Sequence, residues 1–229
     1  MSQRNISILG LAIGSLAIAA FSLNALTVKA ISTDPKANLT STTDVSNIND
    51  KKLVTAVFAG GCFWGVEAVF EHLKGVSNVV SGYSGGTAKT AHYETVSTGM
   101  TDHAESVRVT FDPSQISYEQ LLQIYFYVAH DPTQLNRQGP DRGTQYRSAI
   151  FFANDEQKQI ASAYIDRLNK SQSFVKPVVT QLVSLQNFYP AEDYHQDFIT
   201  HNPDYPYVVV HDLPKLAQLQ KQFPEMYKK

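Results

Sequence analysis

Cysteine is nearly absent from this chain: one residue, Cys62, stands among 229. A single thiol rules out an internal disulfide and a cysteine-built zinc site. An excess of charge of one sign is also missing. Lys and Arg total 19 against 21 Asp and Glu, and no basic run stands out, which argues against nucleic acid as a partner. His195, His201 and His211 lack a tight ligand spacing, so no metal is assigned. Internal repeats and long charge blocks are absent too. The length is enough for one domain with a sizeable core that needs no staples.

The N-terminal part is the exception to an otherwise mixed composition. Arg4 precedes a mostly apolar stretch from Ile6 to Leu26, followed by the small-residue pattern Val28-Lys29-Ala30. This predicts a signal peptide over residues 1–30, cleaved after Ala30, and an exported, periplasmic protein. The stretch is long for a leader, so an uncleaved segment tethering the chain to the membrane is the alternative. Residues 31–50 are rich in Ser, Thr, Asn and Asp without an apolar period and read as a disordered linker. In an exported protein an odd thiol is reactive, pairs with another molecule, or is shielded.

From Lys51 to Lys229 strand and helix patterns alternate. Strands are predicted at Leu53–Ala59, Val76–Tyr83, Glu105–Phe111, Ser148–Phe152 and Val178–Leu185. One helix carries Val66, Val69, Phe70 and Leu73 on a face and stops at Lys74-Gly75. A second opens with the capping box Ser117-Tyr118-Glu119-Gln120 and runs to about His130. Asn154 caps a third, with Ile160, Tyr164 and Leu168 on one face. The tail has a short amphipathic stretch from Leu213 to Phe223. Between them lies a polar, turn-rich loop, Asp131 to Gln145, long enough to be functional or disordered. This order predicts a single α+β domain, a mixed β-sheet with packed helices on a ferredoxin-like split βαβ core.

Two residues carry chemistry on pattern alone. Cys62 lies in Gly60-Gly61-Cys62-Phe63-Trp64-Gly65, beside the only tryptophan, where a strand becomes a helix. A helix N-terminus presents free N–H groups and partial positive charge, which favours thiolate. The effect lowers the thiol pKa from ~8.5 by about one unit, so other groups must assist. Glu105 is placed by alternation: Val107, Val109 and Phe111 share a strand face, and period two points Glu105 the same way. A carboxyl group in a core-facing row loses solvent, its pKa rises, and it donates a proton at neutral pH. The bland alternatives are a buried structural cysteine and a strand that frays before Glu105. A thiol and a neutral acid together suit attack on an electrophile whose oxygen needs protonation, either sulfur-bound or acyl.

Longer motifs decide between these. Gly61-Cys62-Phe63-Trp64-Gly65 and Gly82-Tyr83-Ser84-Gly85-Gly86 resemble the A-type peptide methionine sulfoxide reductases. So do Tyr93-Glu94, Thr101-Asp102-His103-Ala104-Glu105, the run from Asp141 to Ser148, and Ala191-Glu192-Asp193-Tyr194-His195-Gln196. The resemblance implies that Cys62 attacks the sulfoxide sulfur of the S epimer while Glu105 protonates its oxygen. It implies that Tyr93 and Tyr146 hydrogen-bond that oxygen and that Asp141 supports the site. Phe63 and Trp64 would line an apolar pocket for the methionine methyl group. No metal or organic cofactor is implied; the sulfenic acid left on Cys62 is the only intermediate to be recycled.

The chain departs from the family at its C-terminus, where many members carry resolving cysteines. Val208 follows Pro206-Tyr207 here. Recycling then requires an external reductant, either a thioredoxin-like protein or a small thiol. Two rivals remain at this stage: a thiol hydrolase or acyltransferase using Cys62 with His195 oriented by Asp193 or Glu192, and a non-catalytic module recognising peptides with an aromatic surface.

Overall fold

The computed structural model describes residues 52–228, so the expected leader and linker lie outside the described residues. Strand β1 (Val54–Gly60) leads through a glycine turn into helix α1 (Phe63–Glu71), and β2 (Val76–Ser84) follows. A short helix α2 (Tyr93–Val96) precedes β3 (Ala104–Phe111), which leads to α3 (Tyr118–Ile124) and a widened turn over Tyr125–Ala129. The loop beyond it holds a small ribbon, β4 (Arg137–Gln138) and β5 (Asp141–Arg142). Then come β6 (Ser148–Phe152), α4 (Asp155–Lys170), β7 (Gln181–Ser184) and β8 (Phe188–Pro190). Helix α5 (Phe198–His201) and α6 (Leu213–Gln222) complete the described fold.

The main sheet has the order β7-β6-β1-β3-β2-β8. Its central four strands pair antiparallel, while β6 and β7 run parallel across the α4 crossover. The unit β1-α1-β2-β3-α3-β6, with β3 between β1 and β2, is the split βαβ core expected from the element order. Alternation along β1 and β3 divides the sheet into two faces. Ala56, Phe58, Val107 and Val109 meet Val66, Val69 and Phe70 of α1 and Leu121, Leu122 and Ile124 of α3. Val57, Ala59, Ala104, Ala149 and Phe151 face the other side. Phe58 stacks on Phe70 and on Tyr125 at centroid distances of 5.2 and 5.0 Å, tying the strand to α1 and to the widened turn after α3. Fully burying each such ring contributes roughly 1.5–3 kcal/mol.

The local signals acted as read at several ends. Ser117 and Gln120 form a reciprocal capping box, and the Asn154 side chain accepts from the Gln157 N–H at 2.9 Å. Two expected bounds need correction. Helix α1 stops at Glu71 rather than Lys74, because the chain must bend back through Gly75 at φ +87° to start β2. β7 begins at Gln181, not Val178, because the N–H of Val178 donates to the Asn169 side chain and that of Val179 to the Pro132 carbonyl instead of the ladder. The edge strand β8 was not expected; three residues ending in Pro190 show no period, and proline suits only an edge. The 131–145 loop is ordered by the β4–β5 ribbon, which turns through Gly139-Pro140 with Gln138 opposite Asp141.

Candidate active site

Cys62 is the residue before α1, a free and half-buried thiol. The turn that presents it requires glycine at position 61: φ is +95°, and a Cβ there would lie 2.5 Å from the Gln138 side chain of β4. The thiol opens onto a cavity of about 200 Å³ lined by Cys62, Phe63, Trp64, Tyr93, Glu105, Asp141, Tyr146, Tyr205 and Tyr207. All seven residues singled out from the sequence therefore line one cavity. A larger hollow of about 450 Å³, beside Leu168 and Phe174, is lined by no thiol or carboxyl group.

Glu105 reaches the cavity from β3, whose ladder with β2 runs past it and pairs it with Tyr83. The strand does not fray there, and the residue is 2 % exposed. Its carboxyl oxygen Oε2 accepts the backbone N–H of Phe63, the first residue of α1, at 3.1 Å. Burial pushes the Glu105 pKa up to about 8; the Phe63 N–H opposes this and nearby Asp141 adds to it. The acid therefore keeps its proton at neutral pH and loses it as pH rises through about 8. Folded stability gained with that proton is full below the ordinary glutamate value of ~4.3 and is lost as pH rises from there to about 8.

The expectation for the thiol is corrected. The helix end does act: the Trp64 N–H and the Lys215 ammonium favour thiolate. Burial of the sulfur, together with the charges of Glu105 and Asp212, outweighs them and pushes the Cys62 thiol well above its ordinary value. Cys62 and Glu105 compete for one negative charge in a small enclosed space, and at rest both keep their protons.

The walls are held by their own contacts. Trp64 stacks on Phe198 with centroids 3.6 Å apart, and its indole N–H donates to His195 Nδ1 at 3.1 Å. Glu192 accepts the Tyr83 hydroxyl at 2.8 Å and the Tyr93 backbone N–H at 2.9 Å, fixing the start of α2. Tyr207 donates to Asp141 and sets its ring edge against Trp64. Burial raises the pKa of Tyr93, Tyr146 and Tyr207, so their hydroxyls remain donors. Gly65 has no side chain because the Asp212–Lys215 pair, 3.1 Å between Oδ1 and Nζ, packs on it; a Cβ would lie 2.1 Å from Asp212 Oδ1.

This geometry removes support from the hydrolase rival. With Nδ1 accepting from Trp64, His195 is neutral with its proton on Nε2, and burial lowers its pKa further. Glu192 serves the two tyrosines, and among the described residues no hydrogen bond links Cys62 to an imidazole.

Sequence reasoning missed Tyr205, Tyr207, Asp212 and Lys215, which come from the C-terminal segment. It also missed the role of Arg147. The guanidinium of Arg147 donates to the carbonyls of Asp102, His103 and Thr144 at 2.8, 3.1 and 2.9 Å, and to Gln181 at 3.3 Å. It thereby clips the entry of the Glu105 strand to the turn that presents Tyr146. Arg147, one of two arginines within the Asp141–Ser148 run, was the one available signal.

A free thiol and a buried carboxyl group share an aromatic cavity on a split βαβ sheet, an arrangement suited to thiol chemistry on an electrophile that needs a proton. Comparison with known proteins specifies which. Residues 54–227 match the family described as peptide methionine sulfoxide reductase. A peptide methionine sulfoxide reductase MsrA 2 of Mesorhizobium japonicum is 63% identical over 173 residues, 76% of this chain and 89% of the relative. A protein of the same name from Synechocystis sp. is 51% identical over 220 residues, 96% and 98% of the two chains. Among solved structures, methionine sulfoxide reductase A of Corynebacterium diphtheriae superposes with a TM-score of 0.59 at 36% identity, covering 66% of this chain and 76% of that one. Reduced Mxr1 of Saccharomyces cerevisiae gives 0.63 at 31% identity, covering 69% and 90%. The chain belongs to the peptide methionine sulfoxide reductase family, on its A-type branch, and it reduces methionine sulfoxide to methionine.

Arg147→Ala is expected to lower kcat about 10- to 100-fold through misplacement of Glu105 and Tyr146. KM should change little and the alkaline limb of the pH profile should move down as Glu105 gains water. Arg147→Lys should not restore it, since an ammonium cannot reproduce the planar fork. Steady-state kinetics across pH check this; an unchanged kcat in Arg147→Ala contradicts the clip.

Proposed function

We propose that Cys62 is the nucleophile and Glu105 the acid in reduction of the S epimer of methionine sulfoxide. The observation that carries this is the shared cavity: a thiol at the head of α1 and a buried acid on β3, joined through the Phe63 N–H. The sulfoxide oxygen takes a proton from Glu105 and hydrogen bonds from Tyr93 and Tyr146. Protonation makes sulfur electrophilic, and Cys62 attacks it as its own proton leaves. The oxygen ends on Cys62 as sulfenic acid, methionine departs, and the thiol proton returns to Glu105. Atoms and charge balance without a cofactor. Phe63 and Trp64 offer an apolar wall for the methyl group, and Asp141, gripped by Tyr207, fixes the polar side.

Recycling by an external thiol is supported by the cysteine count of one. A reductant thiol condenses with the sulfenic acid, releasing water and leaving a mixed disulfide; a second thiol frees Cys62. A thioredoxin-like dithiol or a small thiol suits these steps. Oxidised methionine residues in exported proteins are the substrates we infer, from the leader pattern over residues 1–30. A mature N-terminus at Ile31, read by N-terminal sequencing of the exported protein, is the expected result; membrane-bound protein that retains Met1 supports the tether instead.

The direct test supplies a peptide bearing both sulfoxide epimers, with dithiothreitol. Turnover should stop near half the substrate and be absent in Cys62→Ser. Glu105→Ala should lose roughly 10²–10⁴-fold, whereas Glu105→Gln should keep appreciable activity through its N–H donors. Equal activity of Glu105→Ala and the parent contradicts the acid role.

A further inference from the structure

Of the chain's three methionines, Met226 is 9 % exposed against the core and Met100 is 90 % exposed. A single exposed apolar side chain needs no explanation by itself. Its chemistry does here, because a solvent-exposed thioether is open to peroxide and its sulfoxide is the class of group this enzyme reduces.

The surroundings of Met100 favour presentation of that side chain. It follows Gly99, at φ +73°, at the end of the turn after α2. The tip is closed by short-range bonds: Gly99 N–H to Val96 O at 3.0 Å and Met100 N–H to the Thr98 hydroxyl at 3.2 Å. Its base is anchored by Gln145 to Ser97 O and Thr144 to Gly99 O, at 3.0 and 3.1 Å. Nothing but water needs to leave for the Met100 side chain to enter another molecule. The receiving cavity, about 200 Å³, holds one side chain and excludes a folded loop. A lone thioether projecting from a turn meets that limit, whereas Met226 does not.

We propose that Met100 is an oxidisable site and that its sulfoxide is a substrate for Cys62 of a second copy of this chain. This rests on the sulfoxide-reducing activity described above. Peroxide transfers one oxygen to the Met100 sulfur and leaves as water. That oxygen then passes to the Cys62 sulfur of the second copy, giving the Met100 thioether and a Cys62 sulfenic acid. Two equivalents of external thiol return the sulfenic acid to thiol, releasing water and a disulfide. The enzyme thus maintains its own exposed methionine in the oxidising conditions in which it works.

The test uses the full chain carrying Cys62→Ser, which keeps Met100 but cannot reduce itself. After treatment with hydrogen peroxide and its removal, the tryptic peptide Thr90–Arg108 should carry one added oxygen by mass spectrometry. The peptide Gln222–Lys228, with Met226, should not. A trace of wild-type chain with dithiothreitol should then clear the oxygen from about half of Thr90–Arg108, because one enzyme serves one epimer. An unstructured oxidised peptide is run in parallel. If that peptide is reduced while Thr90–Arg108 keeps all its oxygen, the proposal is overturned and the activity stands. If Met100 resists peroxide, the proposal is likewise overturned. If neither substrate is reduced, the activity itself has failed and the proposal falls with it.

Discussion

One hydrogen bond joins the two halves of the chemistry. The N–H of Phe63, the first residue after the thiol, donates to the carboxyl group of Glu105. It belongs to a free helix end, which must find acceptors, and to a strand residue whose side chain period two forces inward. Since α1 packs on that sheet face through Val66, Val69 and Phe70, the register of β3 sets where the acid meets the nucleophile. A slip of one residue would turn Glu105 to the opposite face and put Ala104 or Ser106 in its place. The helix end that sequence reasoning assigned to the thiol is thus shared with the acid.

The rest of the site protects this pair from water and holds its geometry. Burial raises both pKa values, so neither group carries charge at rest, and reactivity waits for a substrate that takes the Glu105 proton. The aromatic walls come from distant segments: Trp64 on Phe198, Tyr207 on Asp141, and Tyr83 and Tyr93 on Glu192. Arg147 fastens the strand carrying the acid to the turn carrying Tyr146. Its guanidinium donates to three carbonyls, those of Asp102 and His103 at the entry of β3 and that of Thr144 in the turn.

What was legible in the sequence was local. Alternation placed Glu105, the glycine turn placed Cys62, and Ser117 and Asn154 marked helix starts because a cap acts within four residues. The split βαβ core followed from the alternation of strand and helix patterns. The illegible features depend on where remote segments return. Tyr207 and Asp212 reach the site only because the C-terminal chain folds over α1, and Pro206-Tyr207 gave no period to read. The sign of the Cys62 shift escaped for the same reason. The helix-end effect is a local, small contribution of up to ~2 kcal/mol, whereas burial and the charges of Glu105 and Asp212 are tertiary.

The central claim is that Glu105 holds a proton at neutral pH. Carbon-13 NMR of the labelled Glu105 side-chain carboxyl, titrated in the Cys62→Ser chain, measures it directly. The account predicts a midpoint near 8. A midpoint in the ordinary glutamate range near ~4.3 would contradict it, leaving Glu105 ionised at neutral pH and the sulfoxide oxygen without its acid.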